Sequence, residues 1–245
     1  MKLIVYGGII VIISSCEKRK GCTNPQAMNY DPSAEVDNGS CILKMNPSEV
    51  LTDQDGNKYA TVMIGTQEWM ADNLRSSRFC NGDPIAHVTD STLWVGTTSD
   101  AWTYYGNDAM ADSAYGKLYN WFSVNDPRNI CPCGWRIPTD AEWMVLIDHL
   151  GGESVAGGKM KSSGIQYWQM PNADATNASG FSGLPGGLRH NNGMFMGLGV
   201  VGSWWSSKEA PTTSAWTHSL NAWGGNTYRA THYKRAGLSV RCIKD

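Results

Sequence analysis

Charge is what this chain has least of. Acidic and basic residues together make up 17% of its 245 residues, and the net charge is −2. That is little charged surface for a helical bundle, so a fold of short strands and loops is the better expectation. No basic run extends beyond Lys18-Arg19-Lys20, which argues against nucleic acid as a partner. Long apolar stretches are scarce too. The run from Leu3 to Ile13 is too short to span a bilayer as a stable anchor. Familiar catalytic signatures are missing, with neither GxSxG nor HExxH present. His87, His149, His190, His218 and His232 are scattered without metal-ligand spacing. What abounds instead is glycine, at 27 residues, and tryptophan, at 11.

The first residues read as an address. "MKLIVYGGIIVIISSC" has a positive start at Lys2, the short apolar run, and the small residues Ser14 and Ser15 directly before Cys16. That junction looks like a bacterial lipobox, in which the cysteine thiol is acylated and the preceding peptide removed. Residues 1–15 are therefore expected to be a lipoprotein signal peptide, with Cys16 the lipidated residue and 16–21 the tether. No aspartate follows Cys16, so an outer-membrane destination is favoured, with the bacterial membrane a partner through the lipid.

Setting Cys16 aside leaves Cys22, Cys41, Cys80, Cys131, Cys133 and Cys242. An even remainder in an exported chain reads as three disulfides. Cys22 and Cys41 bracket a stretch without hydrophobic pattern and are expected to close on each other, making 22–41 a small stapled module. Its Asn24, Asn29, Asp31, Asp37 and Asn38 raise a calcium question, since hard cations take oxygen ligands. EF-hand spacing is absent, however, and turn-forming Asx residues account for the composition. No cofactor is expected, calcium in this module being the one alternative. The "CPC" at 131 to 133 is neither a paired metal motif nor a redox CxxC.

Residues 42–50 form a connector, and 51–245 show no break that would mark a further domain. "DGNKYATVMIGTQEWMADNL" places β-rich runs on either side of Gly65-Thr66, a hairpin signal. "GKLYNWFSV" (116–124) has helical spacing. "PTDAEWMVLIDHLGG" starts with a Thr139/Glu142 capping box, to which Asp140 is also assigned. It continues with a Trp143, Leu146, Ile147, Leu150 stripe and stops at Gly151-Gly152. "RHNNGMF" is a tight turn, and "LSVRC" (238–242) the last strand, with Leu238, Val240 and Cys242 on one face. The fold class is α+β: two short helices, short antiparallel strands and long Gly-rich loops. Within it, "VGSWWSSKEA" puts Trp204 and Trp205 side by side, and neighbours on a strand point to opposite faces.

Six of these stretches occur in order: "DGNKYATVMIGTQEWMADNL", "GKLYNWFSV", "CPCGWRIPTDAEWMVL", "FSGLPGGLR", "GSWWSS" and "GLSVRC". Together, from about Thr52 to Asp245, they resemble the Fibrobacter succinogenes major paralogous domain of exported bacterial proteins. The resemblance implies a variant of the C-type lectin-like fold, akin to the formylglycine-generating domain. Separately, 22–41 is similar to the "GCTDP…NY…DDGSC" repeat of secreted bacterial proteins. Family members commonly have one cysteine in "CPxGW". Here Cys133 and Cys80 are both additional, which implies a Cys80–Cys133 bridge and leaves Cys131–Cys242 as the family pair. The related enzyme needs a late reactive cysteine pair, and this chain has only Cys242 there. Calcium sugar-site motifs of the EPN, QPD or WND kind are missing. The family's central strand would also give Trp204 and Trp205 two different apolar layers.

An enzyme is therefore not expected. Binding is expected in the stretch after the tryptophan pair, where Trp216, Trp223, Tyr228, Arg229, His232 and Tyr233 lie among small polar residues. Aromatic and arginine side chains are common interface anchors, and flat rings suit sugars. The leading expectation is an extracellular binding module for glycan or protein ligands. A structural subunit of a surface assembly and a degenerate formylglycine-generating-like enzyme are the alternatives.

Overall fold

The computed structural model describes residues 2–6, 9–13, 18–23, 25, 30–38 and 50–245, the first two segments by their backbone. Cys16 and Cys41 lie outside the described residues, as do Asn24, Asn29 and most of the connector. Cys22 is disulfide-bonded. The chain divides into two compact units, Met1–Lys44 and Met45–Asp245. In the first, Lys2–Tyr6 pairs antiparallel with Ile9–Ile13, as a run rich in β-branched residues favours. Lys20–Gly21 pairs with Val36–Asp37. Asp31 accepts hydrogen bonds from the Ser33 amide at 2.9 Å and the Ser33 hydroxyl at 2.5 Å, and lies 3.4 Å from Arg19. Its carboxylate is thus engaged in a local Asx turn. Among the described residues no group of three or more His, Cys, Asp or Glu could hold a metal ion, and no helix is long and apolar enough to cross a membrane.

Two larger sheets and two short two-stranded pairs, Leu51–Thr52 with Lys58–Tyr59 and Trp102–Thr103 with Leu118–Tyr119, are described in the second unit. Four strands run in the order Trp135–Arg136, Ile243–Lys244, Gln67–Met70, Thr61–Ile64, all antiparallel. The Ile64↔Gln67 register leaves Gly65-Thr66 as a two-residue turn, with Gly65 at φ 62°. Five strands make the other sheet: Phe195–Leu198, Gly186–Arg189, Val201–Glu209, Ser214–Asn221 and Tyr228–Tyr233. Both sheets were expected to be wholly antiparallel, yet Gly186–Arg189 and Val201–Glu209 are parallel. The chain leaves the first, reverses through Phe195–Leu198, and reverses again to return on its other side.

Among the described residues there are five α-helices rather than the expected two: Ser91–Gly96, Met110–Tyr115, Trp121–Val124, Asp140–His149 and Glu153–Met160. The unexpected ones are short, and at least one begins from a cap rather than a periodic stripe. Asp90 caps through the Leu93 amide. The helix expected over 116–124 is confined to Trp121–Val124, because Asn120 caps it and Leu118–Tyr119 pair with Trp102–Thr103. Asp140–His149 has the expected capping box and buries Trp143, Leu146 and Ile147, with Leu150 buried at its C-cap. The expected final strand over 238–242 is instead an extended segment that shares its bonds among several neighbours. Leu238 bridges Tyr119, Ser239 bridges Trp204, and the Val240 and Cys242 carbonyls accept from Leu74 and Met70. No ladder is long enough to be regular until Ile243–Lys244.

Two disulfides staple this unit, Cys80–Cys133 (Cα–Cα 5.2 Å) and Cys131–Cys242 (Cα–Cα 6.0 Å), the same pairs that the family resemblance implied. Between them the sheets separate two apolar layers. Trp205 sits with Tyr119, Trp121, Leu238, Val240 and Cys242, while Trp204 sits with Trp69, Trp143, Phe181 and Leu220. Both tryptophans are 0% exposed. Each buried ring N–H also finds an acceptor, as such groups must. Trp204 Nε1 donates to Asn73 Oδ1 at 2.8 Å and Trp205 Nε1 to the Tyr119 carbonyl at 2.8 Å.

Truncating either tryptophan leaves a cavity, which costs roughly 3–5 kcal/mol. Trp204→Ala and Trp205→Ala are expected to lower the unfolding free energy by that amount in urea titrations. A variant that unfolds with the wild-type midpoint would contradict the burial of that ring.

Candidate functional site

The six candidate residues lie on the hairpin formed by Ser214–Asn221, the turn after it, and Tyr228–Tyr233. Its register is regular, from Ser219↔Tyr228 to Ser214↔Tyr233, without a bulge. Tyr228–Tyr233 is the outer strand, and among the described residues its other backbone edge carries no partner strand. Alternation divides the candidates between two faces. Arg229 opposes His218 and Thr231 opposes Trp216 on one face, whereas Tyr228, Ala230 and His232 point to the other. The six are therefore not one constellation.

Trp216 and Arg229 form the first group. The Arg229 guanidinium lies 3.6 Å over the Trp216 ring and holds Asp140 through two bonds, of 2.9 Å from Nε and 2.8 Å from Nη2. Asp140 also receives His218 Nε2 at 3.0 Å. His218 is 2% exposed and stacks on Trp143, with 5.1 Å between ring centroids. The hydrogen bonds from Arg229 hold the Asp140 carboxyl below its usual range. Burial pushes His218 down to about 4, against the pull of Asp140. His218 is thus neutral, with Nε2–H donating and a buried Nδ1 that has no partner. Helix capping does not account for Asp140. The capping bonds belong to Thr139 and Glu142, and Glu142 is held down at about 2 chiefly by Arg136. Arg229 is committed to packing and charge pairing rather than free to anchor a ligand.

His232 and Tyr233 form the second group, at the far end of the outer strand. They line a cleft of 410 Å³ together with His190 and Asn191 from the turn after Gly186–Arg189. Hydroxyl groups complete the wall, from Thr213, Ser214 and Thr231. Burial, then the proximity of His190, lowers the His232 pKa. Asn191 Oδ1 is buried and has no hydrogen-bond partner. At the opposite end of the hairpin Trp223 is 64% exposed in the turn, and Tyr228 is 45% exposed beside it. Sequence reasoning had singled out neither His190 nor Asn191 as a site residue. The signal available was "RHNNGMF" itself, where His and Asn fill a turn that small residues alone could make. A second cavity, of 360 Å³, lies between Tyr115, Tyr167, Trp168 and Leu198.

Chemically, then, this is a disulfide-stapled α+β domain with a ligand-sized polar cleft and exposed aromatics along one free sheet edge. The Fibrobacter succinogenes major domain matches residues 62–244, and the chain belongs to that family. A 25-residue stretch is 64% identical to ribulose bisphosphate carboxylase/oxygenase activase 1, chloroplastic, of Larrea tridentata. That similarity covers 10% of this chain and 5% of the activase, and it carries no argument about fold or activity. No solved structure matches the chain.

His218 generates a pH prediction. Its value is about 4 in the native protein against an ordinary 6.5. Between these values the unfolded chain binds a proton that the native one does not, so stability falls as pH drops from 6.5 toward 4. The loss approaches ~1.4 kcal/mol per pH unit. The Asp140 pKa is depressed below 3.8, so its contribution is lost only below that window. His218→Gln is expected to flatten the slope measured by urea unfolding between pH 4.5 and 7. An unchanged slope would remove His218 from this role.

Proposed function

We propose that the chain is an exported lipoprotein, anchored in the outer membrane through Cys16, whose 51–245 domain is a non-catalytic module binding extracellular glycan or protein. In this reading the domain is a variant of the C-type lectin-like fold, and 22–41 is a small separate module closed by Cys22 and Cys41. One observation carries the binding part: Trp223, Tyr228 and Tyr233, 64%, 45% and 55% exposed, lie along a single hairpin whose far end opens into the polar cleft. Exposed tryptophan and tyrosine side chains are the residue types that interfaces use as anchors. Tyr228 and Tyr233 alternate to opposite faces of the strand, so Trp223 with Tyr228 at the turn end and Tyr233 at the cleft end offer two contact points on one sheet edge. Against catalysis, Cys242 is held in a bridge to Cys131, so the thiol chemistry of the related enzyme has no free sulfur there. The structural-subunit reading also has a feature in its favour. The outer strand has no bulge, proline or lysine to guard its edge, and such edges accept strands from other chains.

The test uses the purified mature chain on a glycan array and an extracellular-protein panel. Trp223→Ala is expected to keep the wild-type melting temperature, because the ring packs against little, while weakening the ligand found by about tenfold, the scale of an aromatic anchor. Wild-type affinity in that variant would take Trp223 out of the surface, and a domain that binds nothing on either panel would overturn the reading. For the anchor, Cys16→Ser is expected to leave the protein unlipidated and out of the membrane fraction. Retention at unchanged mass would contradict it.

A further inference from the structure

The cleft at the end of the outer strand is walled by hydroxyls, an amide, two imidazoles and a tyrosine ring, and by no carboxylate. Its volume, 410 Å³, is that of a small-ligand site. One feature asks for a ligand. Tyr233 presents a half-exposed ring at the rim, suited to lie against the apolar face of a pyranose.

The charges around the two histidines set the sign of that ligand. On the turn side, His190 Nδ1 receives the Asn192 amide at 3.4 Å. On the neighbouring strand, Ala215 opposes His232, and Glu209 follows in the same cross-strand row. The Glu209 carboxylate is not free, because Lys234 holds it in an ion pair. Arg235 sits in the turn between Tyr233 and Ala236, two residues that line the cleft, and has no hydrogen bond or ion pair of its own among the described residues. The uncompensated charge near the cleft is therefore positive or able to become so.

We propose that this cleft binds an acidic saccharide, one bearing carboxylate or sulfate groups, through His190 and His232, and that it binds more tightly as pH falls. The inference rests on the binding function proposed above and names its ligand class. An anion held beside His232 favours its protonated form, so binding takes up a proton. By linkage, affinity then rises as pH drops toward the imidazole range. Burial and the neighbouring His190 keep His232 largely neutral in the empty cleft at neutral pH, which leaves room for that uptake. An acidic peptide shares the charge, but the hydroxyl-lined wall and the exposed ring favour a sugar.

The experiment measures affinity of the mature chain for a panel of uronate and sulfated oligosaccharides, each paired with its methyl-esterified or desulfated counterpart, at pH 5.5 and pH 8. At least one acidic member is expected to bind, its neutral counterpart about tenfold more weakly or worse, with about tenfold higher affinity at pH 5.5. His190→Gln with His232→Gln is expected to remove the pH dependence at an unchanged melting temperature. Equal binding of acidic and neutral counterparts, or affinity independent of pH, overturns this inference and leaves the general binding function standing. Binding of poly-glutamate with no saccharide bound overturns the sugar assignment. Failure of every saccharide and protein probe overturns both.

Discussion

The guanidinium of Arg241 ties the second unit together from inside. It is 0% exposed, and it donates to oxygens from two separate stretches of chain, 70–73 and 181–182. Nε reaches Asn73 Oδ1 at 2.9 Å, Nη1 the Met70 carbonyl at 3.2 Å and the Phe181 carbonyl, and Nη2 the Ser182 carbonyl at 3.0 Å. Asn73 Oδ1 is the same oxygen that receives Trp204. The strand hairpin, the glycine-rich loop around Phe181 and the central tryptophan strand therefore meet at one buried charge. Burial lowers its pKa to about 9, which keeps it cationic at neutral pH. A buried cation without a carboxylate partner is tolerable only because its protons are met by carbonyl dipoles.

The same device recurs twice. Lys161, also 0% exposed, donates to the carbonyls of Ala173, Asn221 and Gly224. Arg189, 1% exposed, reaches the carbonyls of Val88, Thr89 and Gly193. A chain poor in charge and rich in loops has many carbonyls that no helix or ladder uses, and three buried cations gather some of them. Lys161 fixes the start of the turn that carries Trp223. Arg189 fixes the turn whose next residues are His190 and Asn191. These structural charges lie apart from the exposed aromatics of the outer strand and its turn.

Much of this was legible where the cause is local. The Gly65-Thr66 turn, the Thr139 capping box and the Trp204/Trp205 division follow from alternation, caps and turn chemistry within a few residues. Asp140 was misread because its partners, His218 and Arg229, are 78 and 89 residues away, and a nearer explanation was at hand in the cap. Arg241, Arg189 and Lys161 were invisible for a related reason: a basic residue in a sequence reads as surface, and carbonyl acceptors leave no mark in the side-chain pattern. The candidate site was half legible. Exposed aromatics after the tryptophan strand could be anticipated, but not which of them alternation turns away, nor that a histidine and an asparagine in a distant turn complete the cleft.

The central claim is that Arg241 holds the domain through carbonyl acceptors, and urea unfolding of Arg241→Met tests it most directly. Methionine fills similar space without donors, and replacing a buried charge by an apolar side chain is often neutral or stabilising when both partners go. Here the acceptors remain, so the account predicts a loss of more than ~3 kcal/mol from several orphaned oxygens. Equal or greater stability in Arg241→Met would show that the loops are held by packing alone and contradict it.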